Sequence, residues 1–345
     1  MEPTMNLLIN TTENTTDENN CTLCLRVLEL EARILPIIFS LIFLVGLAGN
    51  GGLIAVIWKH QKKDVSTLLI LNLAVGDFLL ILVSVPFTAT IFAFPKWPFG
   101  DVVCMLNEFL QTLSLGVSVF SLTALSLERR NSAVNMYKPL VVSGSVTLRV
   151  KILIVSIWAI SAIFGVPHMV GYHVIQVWRA DLSFFMNVCW PYPLDWPAWY
   201  GRFHVTARLF IYLIFPMVII LWSYVSIAKL LLRQRAGEER NESQPQTSYM
   251  RNLRMSRKKM AAIVLFLVVL FGICSIPRHI YLLWYHYHRG TYTPFWHIFK
   301  SVGFVLSFMN SCLNPLTLYG LSKPFRRQCN AHFSTCCRTI RKSIQ

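Results

Sequence analysis

The sequence predicts an all-α membrane protein, a bundle of seven transmembrane helices followed by a short amphipathic helix. Hydrophobic residues make up 54% of the 345 residues and charged residues only 14%, whereas an ordinary soluble domain is about 25% charged. Seven apolar runs have the length that crosses a hydrocarbon core, about 20 residues. Because lipid offers no hydrogen-bond partner to a bare amide, runs of this length must be helices.

Charged residues or Pro/Gly turns bound each apolar run. We place the predicted spans at 34–58, 66–92, 104–127, 150–170, 205–230, 260–284 and 296–318. This divides the chain into a tail (1–33), a seven-helix domain (34–319) with a long inner loop at about 231–257, and a final helix and tail (320–345).

The basic residues predict the orientation of the bundle. Most of the 32 Lys and Arg residues lie after the first, third, fifth and seventh spans, and the positive-inside rule makes that side cytoplasmic. We therefore expect a multi-pass plasma-membrane protein with an extracellular N-terminus and a cytoplasmic C-terminus. The outer tail carries three Asn-x-Ser/Thr glycan acceptors, Asn10, Asn14 and Asn20.

The net charge of +16 is typical of nucleic-acid-binding proteins, but its distribution argues against that class. Most of the excess lies along the inner membrane face, where anionic lipids attract each Lys or Arg by roughly 1 kcal/mol. Membrane lipids are therefore the predicted partner of these residues, and nucleic acid is not.

The cysteines divide by compartment. Cys104 opens the third span on the outside, and Cys189 lies in the long outer segment before the fifth span, where an oxidising environment permits a disulfide. Cys21 and Cys24 are also outside; they can pair with each other, bridge elsewhere or remain free. Cysteines beside basic residues after the last span suit palmitoylation, with free thiols as the alternative; the candidates are Cys336 and Cys337.

Glu128 and Arg129 stand where the third span meets the cytoplasm. An acid–base pair is costly to desolvate there and indicates a functional site. The predicted helices also carry, in order, one distinctive residue or pair each: Asn50, Asp77, Arg129, Trp158, Pro216, Pro277 and Asn314-Pro315.

In this combination and order, these residues resemble the rhodopsin-like (class A) G-protein-coupled receptors over essentially the full chain. The segments 111–126 and 310–323 and the run Pro277-Arg278-His279 look like the bombesin and endothelin receptor group and the invertebrate CCHamide receptors. The resemblance implies a peptide agonist, coupling to a heterotrimeric G protein of Gq type, phospholipase C and calcium signalling, and arrestin as a further partner.

The chain departs from the family at two positions. Arg130 stands where Asp/Glu-Arg-Tyr has tyrosine, so the acid–base pair is kept and the aromatic ring is lost. Ser275 stands where Cys-Trp-x-Pro has tryptophan, which leaves space or water beneath the ligand. The resemblance implies an activation switch made of Glu128, Arg129, Pro216, Tyr224, Phe271, Ser275, Pro277, Asn314, Pro315 and Tyr319.

Asp77 is a mid-helix carboxylate that needs a partner in lipid. By family correspondence Ser118, Asn310 and Asn314 face it, with oxygens that suit a hard cation such as Na⁺. The alternative is a protonated Asp77 in a water-filled polar network. No cofactor is otherwise expected.

The predicted ligand site lies in the outer half. Glu108 and Gln111 share a face of the third span, and Gln111 argues against an amine ligand because an amine receptor would place an aspartate there. Basic residues from the fifth and sixth spans suit a peptide carbonyl, an acidic side chain or a C-terminal group. These are Arg208, Arg278 and His279, with Phe304 where bombesin receptors carry arginine. For Arg208 the alternative is an internal pair with Glu108 or a lipid-facing position.

Three classes of function are compared. The sequence favours a neuropeptide or peptide-hormone receptor without an enzymatic site of its own. Ser275 and Arg130 keep open a non-signalling decoy or a constitutively active receptor. A transporter or channel is a distant alternative, because it favours several charges near the membrane midplane and only Asp77 fits.

Overall fold

In the described part of the chain, the fold is a bundle of seven long helices with one β-hairpin at the end that the sequence predicts to be extracellular. The computed structural model describes residues 15–60, 64–94, 96–134, 144–179, 184–192, 196–240, 248–288, 293–323, 325–332 and 334. The helices are α1 (Thr15–His60), α2 (Val65–Ala93), α3 (Gly100–Val134), α4 (Gly144–Gly171), α5 (198–240), α6 (Ser248–Tyr287) and α7 (Pro294–Leu321). Residues 325–332 form a short helical segment after α7.

The fifth helix, α5, is continuous but not uniform. It runs as an α-helix over Ala198–Leu209, as one π-helical turn over Phe210–Ile214, and again as an α-helix over Phe215–Arg240. Pro216 has no N–H to give to the carbonyl four residues before it, and its ring crowds that carbonyl. The wider turn directly before Pro216 accommodates both effects.

Six helices of the described chain are long and apolar enough to cross a membrane by length and composition. They lie at Glu29–Lys59, Val65–Ala93, Gly100–Val134, Leu148–Gly171, Trp199–Leu232 and Lys258–Tyr287. The seventh, α7, occupies the predicted position but is less apolar, because its inner half carries several buried polar residues. The predicted seven-helix architecture, with a short helix after it, is confirmed.

The helices extend beyond the predicted spans. The first begins at Thr15, so Asn20 lies within it. The helices α5 and α6 cover most of the predicted inner loop and leave 241–247 between them. The other predicted modification sites, Asn10, Asn14, Cys336 and Cys337, lie outside the described residues.

A two-stranded antiparallel hairpin joins α4 to α5, which the sequence analysis did not predict. Its strands are β1 (Tyr172–Arg179) and β2 (Phe184–Pro191). The predicted disulfide links Cys104 of α3 to Cys189 of β2, with Cα atoms 5.7 Å apart. Asp101 at the start of α3 accepts a 2.7 Å hydrogen bond from the Val174 backbone N–H. The hairpin is thereby fastened across the outer end of α3.

Polar side chains tie the helices together inside the bundle. The Asn72 side chain of α2 donates to Ser121 of α3 and accepts from the Trp158 indole of α4, both at 2.8 Å. Asn50 of α1 donates to the Ser311 carbonyl of α7 at 2.9 Å. These contacts hold α1, α2, α3, α4 and α7 as one framework.

The closest contact between α3 and α4 depends on a glycine. A Cβ on Gly116 would lie 2.6 Å from Ser161 Oγ and 3.3 Å from the Ser161 Cα. We expect Gly116→Ala to destabilise the protein by about 1–3 kcal/mol through overpacking, measured as a lower thermal unfolding midpoint in detergent.

Two companion variants test this steric cause. Gly320→Ala is the matched control, because a Cβ there meets nothing within 4 Å. Adding Ser161→Gly to Gly116→Ala should recover part of the lost stability. If the double variant unfolds no later than Gly116→Ala, the close contact is not the reason.

Candidate functional site

The acid–base pair at the inner end of α3 is formed as predicted. Arg129 Nε lies 3.5 Å from Glu128 Oε2, and the exposed fractions of the two side chains are 9% and 19%. Glu128 also accepts hydrogen bonds from Ser66 of α2 at 2.9 Å and from Ser132 at 3.2 Å. Glu128 is thus anchored to α2 and within α3, and the Arg129 guanidinium beside it is buried.

Arg130, which stands where the receptors that the sequence resembles have tyrosine, contacts an aromatic ring. Its guanidinium carbon lies 4.1 Å from the ring centroid of Trp222 on α5, a cation–π contact. Two residues after Trp222, the Tyr224 hydroxyl of α5 donates to the Ala261 carbonyl of α6 at 3.0 Å. These two contacts join α3 to α5 and α5 to α6 near Arg129.

Asp77 is fully buried at the centre of the bundle. Its Oδ1 accepts hydrogen bonds from Ser118 of α3 and Ser311 of α7, both at 2.8 Å, and its Oδ2 accepts one from Asn314 at 2.7 Å. Ser118 and Asn314 are as predicted, but Ser311 takes the place expected for Asn310. Adjacent residues on α7 point about 100° apart, so only one of the two can face the carboxyl.

Asn310 instead lines the cavity beside this network. Its side chain is buried, and its Oδ1 has no hydrogen-bond partner within the described residues. The Oδ1 atom of Asn314 is likewise without a partner there. One amide oxygen therefore remains available on Asn314 beside the Asp77 carboxyl and another on Asn310 in the adjoining cavity, the chemistry that a hard cation accepts.

One cavity runs from the predicted ligand residues to the surroundings of Asp77. Its middle is lined by two residues of α6, Ser275 and Phe271. Its outer part is lined by Gln111, Arg208 and Arg278, and its inner part by Ser118, Asn310 and Ser311. The small Ser275 side chain lines this cavity at the position where the sequence predicts space or water. Phe271 is buried and packs against α3 and α5 at the same level.

Pro277 lies inside α6, where α7 approaches its backbone closely. A Cβ on Gly303 of α7 would lie 3.0 Å from the Arg278 backbone nitrogen and 3.3 Å from the Pro277 carbonyl carbon. A larger residue at Gly303 would push the two helices apart. The proline removes one hydrogen bond of the α6 backbone, so the hinge candidate stands directly against α7.

Pro315 and Tyr319 stand near the inner end of α7. Pro315 is buried against Gly49 of α1. The Tyr319 side chain is 42% exposed, and its hydroxyl donates to Asn330 of the short helical segment at 3.1 Å. Tyr319 therefore contacts this segment and not the Asp77 network.

The predicted ligand residues of α3, α6 and α7 form a connected row. Arg278 donates through Nη2 to Gln111 Oε1 at 3.3 Å, and Gln111 donates to Glu108 Oε1 at 3.4 Å. The Arg278 guanidinium carbon lies 4.4 Å from the Phe304 ring centroid. Gln111 thus stands between the carboxylate and the cation, and the Phe304 ring supports the guanidinium plane.

Arg208 and His279 complete the site from α5 and α6. Both are buried, and Arg208 points into the cavity and not toward lipid. His279 Nδ1 lies 2.9 Å from the Ser275 carbonyl. Because a carbonyl only accepts, Nδ1 carries the proton, and Nε2 has no partner within the described chain.

A cluster of ring side chains beside this site was missed by the sequence analysis. The Tyr192 hydroxyl lies 2.8 Å from His204 Nδ1, and the His204 ring packs edge-on against His168 with centroids 4.3 Å apart. Burial raises the pKa of Tyr192 to about 12 and that of Tyr172 well above its usual range. Both phenols therefore keep their protons at physiological pH.

Tyr192 also has an unusual backbone. Its φ of 67° is in the left-handed region, which is uncommon outside glycine. A 2.6 Å hydrogen bond from its N–H to the Gly171 carbonyl and the contact with His204 hold it there. A positive φ at a tyrosine has no signal in the sequence, and the two histidines of the cluster were not singled out there.

Comparisons with known proteins agree with this geometry. A family profile described as "7 transmembrane receptor (rhodopsin family)" matches residues 49–319. The chain is 35% identical to the neuropeptide CCHamide-1 receptor of Drosophila melanogaster over 311 residues, which covers 88% of this chain and 60% of that protein. It is 32% identical to the [Phe13]-bombesin receptor of Bombina orientalis over 314 residues, covering 89% and 77% of the two chains.

Proposed function

Because the chain belongs to the rhodopsin family of seven-transmembrane receptors, we propose that it is a plasma-membrane receptor that binds an extracellular peptide and activates a heterotrimeric G protein. The family comprises signalling receptors and not enzymes. The observation that carries the proposal is the cavity at the outer half of α3, which lies on the same helix as the Glu128–Arg129 pair at its inner end.

The chemistry of the cavity supports a peptide ligand. Gln111, Arg278, Arg208 and His279 offer donors and acceptors of the kind that a peptide backbone pairs with. The two relatives named above are receptors for the neuropeptide CCHamide-1 and for [Phe13]-bombesin by their names. We propose coupling to a Gq-type protein, phospholipase C and calcium release, and binding of arrestin, as the resemblance implies.

In this proposal the N-terminus and the hairpin face outward, and the C-terminus faces the cytoplasm. The disulfide between Cys104 and Cys189 requires an oxidising environment. The basic residues that bound the opposite ends of the helices fit the cytoplasmic side.

We propose that the ligand acts by shifting the balance between two arrangements of α6. While α6 is close, Glu128 holds Arg129 inward. When α6 bends outward at Pro277, its contact with Tyr224 opens and a crevice forms beside Arg129. Arg129 can then donate to a carbonyl of a G-protein helix.

A second candidate is a receptor that is active without ligand or that does not signal. The observation that favours it is that the small Ser275 side chain lines the cavity in α6. An α6 without a bulky side chain at that position has fewer contacts to hold it in one arrangement.

A screen with a peptide library that records calcium, arrestin recruitment and basal nucleotide exchange separates these functions. We expect a peptide that raises intracellular calcium, together with low exchange in its absence. A peptide that recruits arrestin without a response from any G protein would favour the decoy, and high exchange without peptide would favour the constitutive receptor.

Arg129→Ala should reduce peptide-stimulated nucleotide exchange at least about tenfold, because a charge-assisted hydrogen bond contributes roughly 1.5–3 kcal/mol. Peptide affinity should stay within about threefold, since the outer cavity is unchanged. Exchange and binding are measured on the purified receptor with one G protein.

Arg149→Ala is the matched control for this variant, because Arg149 is an exposed arginine at the start of α4 on the same side. It should leave both measurements unchanged. Equal exchange rates in Arg129→Ala and the parent would remove Arg129 from the mechanism.

We also propose that Na⁺ binds beside Asp77, Ser118 and the free amide oxygens of Asn310 and Asn314. Sodium at ten times its dissociation constant should stabilise the receptor by about 1.4 kcal/mol, seen as a higher unfolding midpoint in sodium than in choline chloride. Asp77→Asn should abolish the difference, and Asp101→Asn, which changes an exposed carboxylate of α3, should keep it. If Asp77→Asn and the parent respond alike, the ion is not bound there.

A further inference from the structure

Two buried arginines line one cavity, and each has an unused donor. Arg208 on α5 is 7% exposed, and its Nε has no hydrogen-bond partner within the described residues. Arg278 on α6 donates to Gln111, but its Nε is also without a partner there. A buried arginine normally has a carboxylate against it, because an unpaired charge in the interior is costly.

The carboxylate nearby does not supply that partner. Glu108 interacts electrostatically with both arginines, but neither arginine has a carboxylate oxygen within 4 Å in the described part of the chain. Gln111 stands between Glu108 and Arg278, with contacts of 3.4 and 3.3 Å. The two arginines also repel each other. Two cations against one carboxylate leave the outer cavity with an excess of one positive charge.

The surroundings of the arginines fix what can fill this site. The Phe304 ring lies against the Arg278 guanidinium and leaves its edge free for a planar acceptor. His279 donates from Nδ1 to the Ser275 carbonyl, so the Nε2 of its neutral ring accepts. The site therefore offers donors from two arginines and one acceptor beside them.

We propose that this site binds a carboxylate of the ligand, between Arg208 and Arg278, with a neighbouring N–H of the ligand donated to His279 Nε2. The inference rests on the proposed receptor function and names the ligand class that the site selects. The last residue of a peptide with a free C-terminus carries both groups on adjacent atoms. An Asp or Glu side chain supplies the same carboxylate. A C-terminal amide offers one carbonyl oxygen and leaves the excess charge uncompensated.

A matched pair of small probes tests the site directly. The full-length receptor in detergent is heated with N-acetylglycine or with N-acetylglycinamide at equal concentration and ionic strength. We expect the acid to raise the unfolding midpoint more than the amide, because the two differ in charge and hardly in shape. An equal shift, or a larger one with the amide, would overturn the proposal.

Variants of the two arginines show whether the effect comes from this site. Arg208→Gln and Arg278→Gln should each weaken acid binding at least about tenfold, which is the factor for 1.4 kcal/mol. The matched control is Arg202→Gln, since Arg202 is also on α5 but donates to the His286 carbonyl outside the cavity. Acid binding that survives both cavity variants would place the carboxylate elsewhere.

A stability measurement without ligand separates a binding role from a structural one. If the charge of the arginines is compensated only when an anion binds, replacing one of them by glutamine removes an uncompensated charge. This replacement should raise the unfolding midpoint of the empty receptor. A lower midpoint in both variants would mean that the arginines are structural and would contradict the proposal. Arg278→Lys and Arg208→Lys keep the charge and should still prefer the acid.

Peptide libraries in matched forms identify the source of the carboxylate. One set has free C-termini, a second has amidated C-termini, and each is made with Asp/Glu or with Asn/Gln. Activation by free-acid peptides alone assigns the C-terminus, and activation of amidated peptides only when they contain Asp/Glu assigns a side chain.

The two proposals can fail separately. Activation by amidated, uncharged peptides alone would overturn the carboxylate inference and leave the receptor function intact. Acid-selective stabilisation without activation by any peptide would support the site and contradict the peptide-receptor function.

Discussion

A carboxyl group at the centre of a helical bundle in lipid must find all its partners inside the protein, because water and lipid offer none there. Asp77 finds three, which come from α3 and α7 and donate to both of its carboxyl oxygens. The Asn72 and Asn50 contacts extend the same principle to α4 and α1. Loss of one partner would leave a buried polar group unpaired, so these helices have one favoured arrangement.

The helices α5 and α6 are held differently. Their contacts include the Arg130–Trp222 and Arg278–Gln111 contacts with α3 and the Tyr224–Ala261 hydrogen bond between α5 and α6, near the two ends of the bundle. Between the ends they pack mainly through apolar side chains such as Phe271. Apolar packing against lipid and protein differs little in free energy, so these two helices are the ones that can move at low cost.

The sequence predicts the membrane spans well, because each is marked by a long run of apolar residues. It predicts less well the features that depend on backbone contacts between distant segments or on the rotation of a helix about its axis. The spans were found because about 20 apolar residues are required to cross the membrane, whereas the extension of α1 to Thr15 lies in polar sequence. The hairpin was missed because it is fastened by contacts to Trp97 and Asp101, which are distant in sequence. Asn310 and Ser311 are neighbours, and only the rotation of α7 decides that Ser311 reaches Asp77.

The position of the unpaired polar groups explains how a bound group can act on α6. Arg278 and His279 come directly after Pro277, where the α6 backbone has lost a hydrogen bond. Gly303 keeps α7 against this point, so the backbone of α6 is supported from one side while its side chains face the cavity. A ligand that draws Arg278 toward Arg208 therefore applies its force at Pro277, where α6 packs against Gly303 of α7. We infer that α6 turns about its contact with Gly303. Because the Tyr224–Ala261 contact lies about four turns further in, on the inner part of the same helix, a small rotation at the hinge becomes a larger displacement beside Arg129.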